Sequence, residues 1–346
     1  MQKYSKIQIY YFSGTGNAFN IAKWFAAKSN EKGISATIIN IADIEEFPVE
    51  KPSDNNLIVF ISPVHGFNYP PVMISFINHF PKGNNDVVIM NTRAGMLINK
   101  YITPGLSGIS LYYSSLILKL KGYNILGMNA FDMPSNWLSL HPSLNEKTVL
   151  YIHLKMKAKA EKYAEKYSDA KTSFPVLYEI IQDLLIMPVS LGYYFIGRFI
   201  LSKTFYANSN CDNCDLCIKK CPVKAIVTVG NRPFWKLKCE SCMRCMSHCP
   251  KRAIETAHGF IFLIALAFNL LINKTIINIF PSTIPFMKSF VYEWILQAIL
   301  FILFLLLTYR ISHYLLKFKW YERFMVYTSF TFYKFWGKRY KALKNI

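Results

Sequence analysis

All eight cysteines of this 346-residue chain lie between Cys211 and Cys249. They form two copies of one pattern, Cys-x2-Cys-x2-Cys-x3-Cys-Pro, offset by 28 residues. The first copy is Cys211, Cys214, Cys217, Cys221 and Pro222; the second is Cys239, Cys242, Cys245, Cys249 and Pro250. Thiolates ligate both zinc and iron–sulfur clusters. Zinc sites usually come as paired Cys-x-x-Cys. A triplet with a trailing Cys-Pro instead puts three thiolates around one face of a 4Fe–4S cubane. Ala225 and Ala253, small residues soon after each Pro, suit a compact shell around the sulfurs. His248, next to Cys249, reads as a surface residue rather than a ligand. A secreted disulfide domain would not repeat such triplets, and no cysteine is left over for pairing elsewhere.

A second chemical signal lies near the N-terminus, at Ser13-Gly14-Thr15-Gly16-Asn17. Glycines let backbone N–H groups converge on an anion, a helix N-terminus adds its dipole, and the Ser13 and Thr15 hydroxyls can donate. The flanking pattern supplies that setting. Ile7–Phe12 is a strand-like run, and Ala18, Ile21, Ala22 and Phe25 follow at helical spacing until Gly33. Strand-like runs recur at 36–41, 57–61, 87–90 and 123–128, separated by helical segments. Such alternation implies a parallel sheet covered on both faces. No Walker loop, His-Glu-x-x-His or Gly-x-Ser-x-Gly motif occurs.

The segment 1–147 resembles flavodoxin, an α/β doubly wound parallel sheet ordered 2-1-3-4-5. The resemblance implies FMN, with its phosphate held by Ser13, Gly14, Thr15, Gly16 and Asn17. It implies that two loops flank the isoalloxazine. One follows the third strand and offers Pro63, His65, Gly66, Phe67 and Tyr69; the other follows the fourth and offers Thr92, Arg93, Ala94 and Gly95. His65, Phe67 and Tyr69 are the candidates for ring stacking. Met133-Pro134-Ser135-Asn136-Trp137, after the fifth strand, is a further flavin-side candidate. The sequence departs from the family in having Ala18 where many flavodoxins place Thr, and no Trp in the second loop.

The segment 208–257 resembles a bacterial two-cluster ferredoxin, a small α+β iron–sulfur domain. In that family each trailing Cys ligates the other cluster. The resemblance therefore implies one 4Fe–4S cluster on Cys211, Cys214, Cys217 and Cys249, and a second on Cys239, Cys242, Cys245 and Cys221. Together the two segments are similar to flavodoxin–ferredoxin fusion proteins.

The rest of the chain points to a membrane. Residues 148–207 read as a helical linker: an exposed connecting helix over 148–170, then an apolar stretch, 174–207, broken by Glu179, Asp183, Pro188 and Arg198. That stretch reads as a helical pair packed on a neighbouring domain or lying on a membrane surface, in preference to a span. Residues 258–309 hold two long apolar runs about a turn with Pro281 and Pro285, and are expected to form a transmembrane hairpin. Glu293 is expected to snorkel at its end of the second run. The tail 310–346 carries nine Lys or Arg against one acidic residue, interleaved with aromatics, as suits a headgroup layer. The net charge is +20, and the most basic segment follows the least charged one, which favours an anionic membrane face over nucleic acid. Hydrophobic residues make up 52% and charged residues 17%, which excludes a disordered chain. Met1 to Lys6 hold no apolar run, so no signal peptide is expected.

The expectation is a membrane-anchored electron carrier or flavo-iron–sulfur oxidoreductase of the cell inner membrane, with both soluble domains and the C-terminus cytoplasmic. Its partners would be membrane lipid and redox proteins such as a soluble ferredoxin or a reductase, with no nucleic acid. Alternatives are a flavin-dependent reductase of a small substrate such as a quinone, and an iron–sulfur redox sensor.

Overall fold

A computed structural model describes residues 3–44, 49–273 and 290–338. The chain divides into two compact units. One contains Met1–Trp137 and Ser143–Tyr194, the other Leu138–Pro142 and Phe195–Arg339.

The first unit is built on β1 (Lys6–Tyr11), β2 (Ser35–Asn40), β3 (Asn56–Pro63), β4 (Asp86–Ile98), β5 (Tyr101–Thr103) and β6 (Asn124–Pro134). The parallel strands run in the order β2-β1-β3-β4-β6, with β5 an antiparallel appendage on β4. This is the doubly wound order expected from the sequence. All of β3 except Pro63 is buried, as a strand covered on both faces requires. Helices α1 (Asn17–Glu31), α2 (Pro71–His79), α3 (Ser110–Leu120) and α4 (Glu146–Ser168) provide the cover. On one face, Ile21, Trp24 and Phe25 of α1 and Ile152, Met156 and Ala160 of α4 join Ile7, Ile9, Val59 and Ile61 in a single core. On the other, Tyr10, Phe60, Phe76 and Phe80 pack ring against ring, with centroids 5.1–6.1 Å apart.

Two expectations are corrected here. The helix over 148–170 is not an exposed connector. One side of α4 is buried in the core, because Val149, Ile152, Met156, Ala160, Ala164 and Tyr167 recur at helical spacing beneath a lysine-rich outer face. Nor do residues 92–95 form a loop. Strand β4 continues through them, pairing Thr92 with Phe131 and Gly95 with Pro134. After α4 the chain makes a short turn at Pro175–Glu179 and enters α5 (Ile180–Gly192), which contains Pro188.

The second unit begins its regular structure with α6 (Arg198–Ser202) and β7 (Phe205–Ala207). The cysteine segment follows, with α7 (Leu216–Lys219), the hairpin β8 (Ile226–Val229) and β9 (Arg232–Trp235), α8 (Arg244–His248) and β10 (Ile254–Thr256). Strand β10 returns antiparallel to β7, and Gly230 and Asn231 turn the hairpin with positive φ at both positions. Then come α9 (His258–Ala267), α10 (Phe290–Leu315) and α11 (Lys319–Tyr327). The Pro281/Pro285 turn, Lys274 and the chain beyond 338 lie outside the described residues. Leu305, Tyr309 and Leu316, in and just after the last turns of α10, are buried with Tyr206, Phe260, Tyr321 and Met325. The end of this apolar helix and the first part of the basic tail thus form core beneath the cysteine segment.

Candidate functional site

The cysteine segment shows why its sequence repeats. Six non-glycine residues with positive φ fall in pairs 28 residues apart: Asn213 and Ser241, Asp215 and Met243, Lys224 and Arg252. Each αL residue costs about 1–2 kcal/mol. Strain recurring at equivalent positions marks a backbone shaped for a site. The result is visible at the sulfurs. The Ala225 N–H donates to Cys221 Sγ at 3.2 Å, and the Ala253 N–H, its repeat equivalent, to Cys249 Sγ at 3.4 Å. The Ser241 N–H donates to Cys239 Sγ at 3.4 Å.

The thiols sort into two sets. Cys217 is raised to a pKa of about 11 by burial and by the charge of Cys211 and Cys249. Burial also pushes Cys242 up to about 12, with Cys221 adding to it, and raises Cys239 and Cys245. Cys221 acts on all three members of the second triplet. The same four, Cys221, Cys239, Cys242 and Cys245, line a small cavity whose apolar wall includes Phe205, Ile226 and Trp235. Cys221 therefore stands with the second triplet, and Cys249 with Cys217 of the first. Cys214 is exposed. Among the described residues no three His, Cys, Asp or Glu side chains stand close enough to share a single metal ion. A cluster, in which each sulfur binds its own iron, does not need three sulfurs within reach of one ion.

Lys203 gives no signal in the sequence. Its ammonium is buried, donates to the Trp235 carbonyl, and lies over the rings of Phe234 and Tyr309 at 4.9 and 4.8 Å. It has no carboxylate partner among the described residues, and burial pulls its pKa down to about 8, while Cys239 draws it back up. An unpaired buried cation beside thiolates favours electron-rich sulfur.

In the first unit, the loop 13–17 leaves β1 and enters α1. Gly16 has φ +107°, and a Cβ there would meet nothing within 4 Å, so the turn encloses open space. No side chain caps α1, so its leading N–H groups remain available to an anion. The Gly16 N–H donates to Ser13 Oγ at 3.1 Å, and Asn17 Nδ2 ties the loop to the Pro134 carbonyl at 2.9 Å. Gly14 and Thr15 complete the turn.

At the other end, His65 and Asn68 close a tight turn through Gly66 and Phe67, both with positive φ. His65 stacks on Trp137 at 6.3 Å, and Trp137 meets Tyr193 edge-on at 5.7 Å. The Trp137 indole N–H is buried and has no hydrogen-bond partner among the described residues. A buried donor without a partner, Trp137 Nε1, and an uncapped helix N-terminus are groups that a flavin's acceptors and phosphate would satisfy.

Other candidates have structural work. Tyr69 is buried, and its hydroxyl donates to the Met90 carbonyl at 2.7 Å, so it is core rather than a ring-stacking partner. The Phe67 carbonyl accepts from the Ile109 N–H and from Ser190 Oγ. Arg93 is buried, and its guanidinium is engaged by Asp132 at 2.7 Å, by Ser107 at 3.0 Å and by Glu179. Burial opposes that charge, but Glu179 and Asp132 outweigh it and raise the pKa above its ordinary value. Pro63 pairs with Thr92 across the β3–β4 ladder; Thr92 is buried and Ala94 exposed. A Cβ at Gly95 would strike the Asp132 carbonyl oxygen at 2.5 Å.

Residues 210–254 match the family of 4Fe-4S dicluster domains. No curated protein matches the chain. Among solved structures, the chain is similar to oxidised flavodoxin 1 from Bacillus cereus, with 14% identity, TM-score 0.32, and coverage of 46% of this chain and 98% of that one. It is similar to a flavodoxin from the domain Archaea, with 11% identity, TM-score 0.29, and coverage of 46% and 99%. It is also similar to general stress protein 14 from Treponema denticola, solved in complex with FMN, with 12% identity, TM-score 0.30, and coverage of 48% and 98%. The strand order and the matched segment define the class: a flavodoxin-like parallel sheet followed by a small 4Fe-4S ferredoxin domain. A 4Fe-4S domain joined to such a sheet supports a role in electron transfer.

Proposed function

We propose that this chain is a membrane-anchored electron-transfer protein that passes electrons between FMN and two 4Fe–4S clusters, linking a cytosolic redox partner to an enzyme-bound or membrane acceptor. The observation that carries the reading is the sorting of the thiols across the repeat, with Cys221 in the cavity of the second triplet and Cys249 beside the first. One cluster belongs on Cys211, Cys214, Cys217 and Cys249, the other on Cys239, Cys242, Cys245 and Cys221. FMN exchanges one or two electrons and each cluster one, which suits conversion between hydride-level and single-electron donors.

This chain's residues supply the rest. The loop 13–17 and the N-terminus of α1 hold the phosphate, while His65, Trp137 and Tyr193 wall the ring slot and exclude water. The N–H groups of Ala225, Ser241 and Ala253 stabilise electron-rich sulfur. Nine Lys and Arg residues within 211–258 attract acidic partners such as a soluble ferredoxin. The membrane part of the reading is supported by Glu293–Leu315, a helix long and apolar enough to cross a bilayer. Paired with the apolar run that begins at α9, it would form a hairpin with both ends on the cytoplasmic side.

Anaerobic reductive titration of the detergent-purified protein, followed by absorbance and electron paramagnetic resonance, tests the reading. About four electrons per chain are expected, with flavin bleaching and two coupled cluster signals. About two electrons without a flavin band would overturn the FMN assignment. Cys221→Ser is expected to damage the cluster of the second triplet and spare that of the first; damage confined to the first would refute the crossed ligation.

A further inference from the structure

The segment from Val176 to Tyr193 is an amphipathic helix turned inside out. Val176, Glu179, Asp183, Ile186, Ser190 and Tyr193 recur at alternating three- and four-residue steps, and all are buried or half-buried. This seam holds most of the segment's polar groups, and each is fastened to the flavodoxin-like unit. Glu179 pairs with Arg93, and Asp183 accepts from the Gly108 N–H at 2.8 Å and from Tyr112 at 3.2 Å. Ser190 donates to the Phe67 carbonyl at 2.9 Å. The Tyr193 ring lies so close to Gly66 that a Cβ there would sit 2.0 Å from it. The opposite side carries the large apolar residues. Tyr178 is 95% exposed, Leu185 77% and Ile181 74%, with Leu177, Leu184, Val189 and Leu191 beside them.

A helix in water does the reverse. Two occupants could cover such a face, a second copy of the chain or a bilayer. Protein interfaces carry a polar rim around an apolar centre. Here the two charged residues between Val176 and Tyr193, Glu179 and Asp183, are both turned into the seam, so the exposed face carries no charge along its length. That composition matches a bilayer surface, which needs an apolar strip and no rim. Pro175–Ser202 is also long and apolar enough to cross a membrane. Crossing would drag the Arg93–Glu179 pair and the backbone of Phe67 and Gly108 into hydrocarbon, where such groups are costly.

We propose that the helix over 176–193 lies in the plane of the membrane surface, its polar seam on Arg93 and the loops at Phe67 and Gly108 and its apolar face among lipid acyl chains. The proposal rests on the membrane-bound reading above, and it assigns lipid as the partner of this face.

The test uses the full chain in phosphatidylcholine–phosphatidylglycerol vesicles. Ile181→Trp, Leu184→Trp and Leu185→Trp each add an indole on the outward face, away from the packed seam, and unchanged cluster absorbance confirms the fold. After subtraction of the parent protein's emission, the added indoles are expected to be quenched most by lipids brominated near the headgroup end of the acyl chain. Quenching by aqueous iodide with none by brominated lipid would overturn the proposal, as would shielding from both, the result if a second copy covered the face. Strongest quenching by lipids brominated near the methyl end would show a crossing helix and overturn it too. Failure of the protein to pellet with vesicles would refute the membrane-bound reading itself, whereas pelleting without lipid quenching would refute this inference alone.

Discussion

Replacing Arg93 by Met would remove the cation that ties β4 to the segment entering α5. The side chain of Arg93 is 3% exposed, that of Asp132 11% and that of Glu179 28%. Removing one partner of a buried pair commonly costs about 3–5 kcal/mol, because the other charge stays buried and unpaired. Here two carboxylates are stranded, but unequally. Glu179 can turn towards water, and Asp132 keeps the Gly105 N–H at 2.7 Å. The expected loss is therefore at the lower end, about 3 kcal/mol, a large share of the 5–15 kcal/mol that holds a typical domain folded. Amide hydrogen exchange on the full chain reads this directly: protection over 180–192 should fall first, with β4 and β6 less affected. Adding Asp132→Asn should restore part of the loss, because its amide oxygen still accepts from Gly105 while the buried charge is gone. A single-variant change below about 1 kcal/mol, or a double variant no better than the single, would refute the argument that Arg93 fastens this segment.

His153 packs edge-on to Trp24 at 5.8 Å, and burial pulls its pKa down to about 4. The unfolded imidazole titrates near 6.5, so neutral His153 contributes stability above that pH which is lost as pH falls towards 4, by up to about 3 kcal/mol; melting curves of His153→Phe across this window should be flatter on the acid side. Burial raises the Asp183 carboxyl, against the Gly108 and Tyr112 hydrogen bonds, so its contribution is present in acid and declines as pH rises through the raised value; Asp183→Asn, which keeps an acceptor for Gly108, should remove that decline in melting temperature. Gly16→Ala meets backbone strain and no neighbour, whereas Gly66→Ala also strikes the Tyr193 ring; the first should weaken FMN retention with little loss of folding, and the second should loosen amides around 190–193 in hydrogen exchange. Lys203→Met should lower the potential of the cluster on Cys221, Cys239, Cys242 and Cys245 more than that of its neighbour, and equal shifts in an EPR-monitored titration would count against the role assigned to Lys203.

The sequence by itself determined the parts whose signals are local. Cysteine spacing is a short-range property of the ligand shell, so the repeat announced its chemistry, and even its αL residues keep the 28-residue offset. Short apolar runs alternating with helices specified a parallel sheet, and Gly14 and Gly16 marked the turn between its first strand and first helix. What depends on distant contacts was decided only by tertiary structure. Burial made Tyr69 a core residue bonded to Met90, and β-pairing with Phe131–Pro134 turned Thr92–Gly95 from a loop into strand. Lysines dominate the composition of α4 and hide its buried stripe, and the partners of Arg93 lie 39 and 86 residues away. Trp137 and Tyr193 reach the His65 loop from separate segments, and Lys203 reaches Trp235 across 32 residues of chain. In 176–193 the polar residues read as interruptions of an apolar run. Their partners on β4, α3 and the Phe67 and Gly108 loops make them a seam, because a charge or hydroxyl goes wherever its hydrogen bonds can be met.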